Sequence, residues 1–85
     1  PPPCEESKNE IIKTVAEAEK GIAHIIRAEA EKVEAVARAF QNDAVLLRDL
    51  VAVNDSVDQM LDAVIVLEEK LIDKLSTVKG VCDYC

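Results

Sequence analysis

The sequence predicts an all-α fold: two long antiparallel helices, a helical hairpin, assembling into a helical bundle or filament. Three observations lead there. Breakers are confined to the ends, since Pro1, Pro2 and Pro3 open the chain and only Gly21 interrupts Glu5 to Lys79. Ala, Glu, Lys, Leu, Ile and Val fill that stretch, which is the composition of long helices and coiled coils. Apolar residues recur at helical spacing in two stripes whose phases differ.

The N-terminal residues 1–6 read as an extended Pro/Cys tail, because a run of prolines favours the polyproline conformation. Ser7-Lys8-Asn9-Glu10 has the form of a capping box, with Ile11 and Ile12 directly after it. The first helix is therefore placed at 7–41. Its apolar stripe runs from Ile11 through Val15, Ile22, Ile26 and Val33 to Phe40. The spacing reads as elevenfold: Ile11, Ile22 and Val33 align, as do Val15, Ile26 and Ala37.

A second stripe runs from Leu46 to Val78 and keeps one phase through Asn54-Asp55-Ser56. It too reads as elevenfold, in Leu50-Leu61-Ile72 and Val53-Val64-Leu75. The two stripes miss each other by ~110° when wound continuously. The break falls at Gln41-Asn42-Asp43, where Asn42 or Asp43 can cap a second helix at 43–79. The rival is one long kinked helix. Residues 80–85 form a C-terminal Cys-x-x-Cys tail.

Composition excludes several functions. The net charge of −7 supplies no basic footprint for nucleic acid. One Tyr, one Phe and no Trp leave no platform for stacking bases. No apolar run approaches the ~20 residues of a membrane span, and no signal peptide is visible. The chain starts at Pro1 rather than Met, so it reads as processed or as part of something longer. Eighty-five residues make one domain at most.

Off the main stripe of the second helix lie Val45, Leu47, Val51, Ile65, Val66 and Leu67. A two-helix hairpin cannot cover them, and a small chain rarely leaves such a patch open. Leu47, Val51, Ile65, Val66 and Leu67 are therefore the expected assembly interface of a homo-oligomer or polymer.

Cys4 lies at one terminus and Cys82 and Cys85 at the other, so a hairpin gathers all three at one end. An odd number leaves one thiol for another subunit, and covalent cross-linking is the expected role. Inert reduced thiols and a zinc site are the alternatives. The zinc signal is weak, because one Cys-x-x-Cys with a distant Cys offers three ligands and His24 is far along the helix. His24 itself reads as a solvated surface residue. No cofactor and no catalytic residue is expected.

Glu29 and Glu68 occupy the middle of the two apolar faces. A buried unpaired carboxylate is costly, so each is expected to pair with Asn54, Thr14 or a neighbouring Lys or Arg. Glu29, Glu68 and Asn54 then act as a buried polar registry. The rival is a carboxylate metal site across a subunit interface. Gly21 mid-helix costs roughly 1 kcal/mol against Ala, which close approach of another helix would explain.

Ile22-Ala23-His24-Ile25-Ile26-Arg27-Ala28-Glu29-Ala30-Glu31-Lys32 and Val53-Asn54-Asp55-Ser56-Val57, followed by Glu68, carry a resemblance. Together they resemble a helical domain of endospore-forming Gram-positive bacteria. That domain often accompanies collagen-like or other surface-exposed repeats on spore or cell-surface proteins. The resemblance covers about Asn9 to Leu75 and transfers no catalytic residues. It implies a structural role at the spore or cell exterior, with other surface proteins as further partners. Cysteine-bearing ends fit that extracellular setting. The expected function is a subunit of a surface fibre or layer, and the alternative is a helical adaptor that forms a discrete dimer and docks a partner helix.

Overall fold

The computed structural model describes residues 3–81. Helix α1 spans Pro3–Gln41, α2 spans Leu47–Ser76 and the short α3 spans Val78–Val81. The all-α class is what the sequence calls for.

The helix boundaries differ from those expected, each for a local reason. Helix α1 begins at Pro3 rather than Ser7. Proline suits a first helical position, where its missing N–H has no intrahelical partner to lose. Ser7 therefore lies inside the helix, and Cys4 to Glu6 are helical rather than extended. Pro1, Pro2 and residues 82–85 lie outside the described residues.

At its other end α1 closes on Asp43, the only described non-glycine residue with positive φ, at 58°. The Ala44 amide donates to the Ala39 carbonyl at 2.8 Å and the Asp43 amide to the Phe40 carbonyl at 3.1 Å. These are the paired bonds of a Schellman closure, with Asp in the position usually held by Gly. Asp43 thus ends the first helix and does not cap the second. Helix α2 starts at Leu47 instead, after an extended Leu46. The Leu46 amide donates to Asp49 Oδ2 at 2.9 Å, which satisfies one orphan N–H of the new helix.

Helix α2 runs unbroken through Asn54, Asp55 and Ser56. It stops at Ser76 and Thr77, whose hydroxyls donate back to the Ile72 and Lys74 carbonyls at 2.9 and 2.6 Å. Such local bonds compete with continuation of the helix.

Helix α1, 39 residues long, measures about 58 Å at 1.5 Å per residue. The whole chain measures 63 × 18 × 10 Å. Helix α2 therefore lies alongside α1, and α3 also packs against α1. One continuous kinked helix does not fit, since the described residues would stretch about 120 Å.

The core is small: Val15 and Ile22 from α1 meet Val64 and Leu71 from α2, with Ala18 against them. Burial follows a sevenfold rather than an elevenfold row. Val15, Ile22 and Glu29 are all buried, and Leu50, Val57 and Val78 continue the Val64–Leu71 row half-buried. Each expected elevenfold row that contains Ile26, Ile72 or Leu75 fails at that residue, which is 45%, 62% or 45% exposed. A helix with one neighbour buries a single narrow seam, so the flanks of the wider apolar stripe stay exposed.

Candidate functional site

The four buried apolar side chains are outnumbered by exposed large ones. Their positions around the helices are ordered. Measured from Ile22 at ~100° per residue, Ile26 and Ile12 lie about 40° and 80° round α1 in one sense. Measured from Val64, Ile72 and Ile65 lie about 80° and 100° round α2, Leu47 about 100° and Val51 about 140°. All six are exposed.

Two observations put these flanks on the same side of the molecule. Glu19 and Glu68, which lie on them, are near enough for Glu19 to raise the Glu68 pKa. An open groove of about 310 Å³ is lined from both helices by Val33, Leu50, Val51, Val53 and Asn54. The result is one broad face, apolar around Glu19, Asn54 and Glu68, and by the same winding Lys8, Glu34 and Asp58 also fall within its arc.

The expected interface residues divide. Leu47, Val51 and Ile65 stand on this face. Leu67 is on the opposite flank and Val66 points away from α1, at about −60° and 200° by the same winding. All five are exposed. Ile12 joins the face, and so do Ile26 and Ile72, although the elevenfold reading had aligned those two with core residues. A sevenfold phase would have separated them.

Glu29 is buried at 9% exposure and is ion-paired within its own helix, while its Oε2 accepts no hydrogen bond. Lys32 Nζ lies 3.1 Å from Oε2 and donates to Oε1 at 3.3 Å. None of its bonds reaches Asn54 or Thr14, and the Thr14 hydroxyl donates to the Glu10 carbonyl at 2.8 Å. Asn54 is exposed at the groove.

Glu68 is half-buried, and its Oε1 is shut from solvent without a hydrogen-bond partner. Its pKa is raised above the usual 4.5, first by the hydrogen bond with Glu19, then by burial and by the charge of Glu19. Glu19 was not singled out in the sequence, because it becomes significant only once the register of the two helices is known.

Cys4 is half-buried in the first turn of α1 and is not a free thiol. Cys82 and Cys85 lie outside the described residues. His24 is exposed. Gly21 has nothing within 4 Å of a Cβ position, so α2 does not require its small size. No group of metal-ligating side chains occurs among the described residues, and no described helix is long and apolar enough to cross a membrane.

A family model for the alpha-helical endospore appendage domain matches residues 3–82. The chain belongs to that family. The match takes in both long helices, the link between them and α3. None of the curated proteins and none of the solved structures compared with this appendage domain matches it. The family is one of helical spore-surface domains and is not a known enzyme family. The resemblance read from the sequence is thereby shown.

Proposed function

We propose that this appendage domain is a self-assembling structural subunit of the spore surface. In this reading the chain is an antiparallel helical hairpin. Copies stack by the apolar face that carries Ile12, Ile26, Leu47, Val51, Ile65 and Ile72, and disulfides among Cys4, Cys82 and Cys85 lock the ends into a fibre or layer. The observation that carries the proposal is the uncovered apolar face on a chain of an appendage family.

A second copy is the occupant that the size of the face favours. The whole broad side of the chain, of which the face is part, measures roughly 1,100 Å² from the two longer extents, room enough for the ~800 Å² per partner of a stable interface. Cross-linking is supported by Cys4, which is not a free thiol, and by α3, which packs on α1 and ends one residue before Cys82. Glu29, Glu68 and Asn54 hold the register between helices or copies, at some expense in stability.

The test is the mass of the native assembly with and without reductant, by denaturing gel and light scattering. Covalent polymers that collapse to 9.3 kDa on reduction support the proposal. A discrete dimer indifferent to reductant retires cross-linking and favours a docking adaptor. Metal in the purified native assembly would instead favour a carboxylate site.

A further inference from the structure

We propose that the Glu19–Glu68 pair makes the apolar face acid-responsive, so that a second copy covers the face only when the pair takes up protons. This deepens the assembly reading above and rests on it.

The pair joins two helices. Glu19 comes from α1, between the buried Val15 and Ile22, and Glu68 from α2, between the buried Val64 and Leu71. Glu19 is near enough to Glu68 to raise its pKa, and two carboxylates this close repel each other unless one carries a proton. Glu68 Oε1 already lacks both water and partner. Ile12, Ile26, Ile65 and Ile72 surround the pair on the open face. A second copy laid over them would remove the remaining water from both carboxyls, and desolvating an unpaired carboxylate is costly.

Among the described residues no cation stands beside the pair. From α1 only Glu19 faces Glu68: Glu17 and Lys20 point about 100° to 160° away from Glu19 at ~100° per residue, Lys8 shares its side but lies about 16 Å along the helix, and Arg27 lies about 12 Å along and 80° round. On α2, Glu69 and Lys70 are turned from Glu68 by similar angles. On α3, Lys79 is the only charged residue, roughly 16 Å from Glu68 by helix rise. The two ion pairs among the described residues are Lys32–Glu29 and Arg48–Asp49, both elsewhere. Protons are the remaining means of neutralisation. Glu68 already holds its proton more tightly than an ordinary carboxyl, which sets the direction. Covering the face then binds at least one proton per copy. Linkage makes the association constant rise by up to about tenfold per pH unit for each proton taken up.

The test is sedimentation equilibrium of the full chain, kept reduced, between pH 5 and pH 8. Helicity is followed by circular dichroism. Salt of roughly 1 M shrinks the Debye length to about 3 Å and screens the general repulsion of the −7 net charge. The native chain should associate at least tenfold more tightly at pH 5 than at pH 8. Glu68→Gln should associate tightly at pH 8, and Glu19→Gln with Glu68→Gln should lose the pH dependence. Glu31→Gln, on the outer face, should behave as the native chain. Equal association at both pH values overturns the acid response and leaves the assembly reading standing. So does a Glu31→Gln effect as large as that of the pair, since it would assign the response to bulk charge. Helical chains that stay monomeric in every variant at both pH values overturn the face itself, and both readings with it.

Discussion

Glu68 on α2 and Glu19 on α1 stand as neighbouring carboxyls, flanked by the four residues of the core. The pair links helix packing to pH. Because the Glu68 pKa is raised in the folded chain, its contribution to stability is fully present below its ordinary value of 4.5. That contribution is lost as pH rises through the raised value. Thermal melts of native and Glu68→Gln chains, at concentrations low enough to prevent association, should therefore diverge with pH. The variant should melt higher than the native chain at pH 8, and the advantage should fade toward pH 4. A constant gap at all pH values would show that Glu68 does not titrate in this window.

The seam is thin enough that one side chain matters. Ile22→Ala removes the most buried residue of the core, and a loss of about 2–4 kcal/mol is expected from denaturant unfolding. Ile72→Ala should cost the single chain no more than about 0.5 kcal/mol, since Ile72 is 62% exposed. The same Ile72 change should weaken association. Equal losses from both would mean that the buried seam is not where the helices are held.

Gly21→Ala should stabilise the single chain by about 1 kcal/mol. Nothing lies within 4 Å of the added methyl. Chemical denaturation read by circular dichroism measures it. A stabilised chain that no longer assembles would mark the Gly21 side as a second contact between copies.

Glu29→Leu should raise the melting temperature while loosening assembly. Its partner Lys32 is 44% exposed and can return to water, so the variant leaves no charge stranded. Lys32→Ala should do the reverse and lower the melting temperature, because the carboxylate stays buried without its cation. An unfolded Glu29→Leu chain would rule out the registry role.

The helical class was legible because the stretch from Glu5 to Lys79 contains a single breaker, Gly21, and a glycine alone does not end a helix. The unbroken phase through Asn54 to Ser56 was legible too, since a cap there would have reset the stripe. The five-residue link was not. Asp43 could be read as a start as easily as a stop, and only its positive φ decides. The seam was misread because apolarity alone cannot say which partner an apolar residue faces. Ile26 and Ile72 are as hydrophobic as Ile22, and they belong to a surface that one chain does not cover. Glu19 stayed hidden for a related reason. Its meaning depends on the residue across from it, and register between two helices is a property of both sequences together.

The chain is a slab one helix thick, and no described side chain falls below 2% exposure. A slab has two sides and no inside. Its resistance to heat is then a property of how crowded it is, because whatever covers a side does the work an interior does in a thicker protein. Dilution should soften such a molecule and close stacking harden it. Durability would belong to the stack, with each layer supplying the missing half of the next.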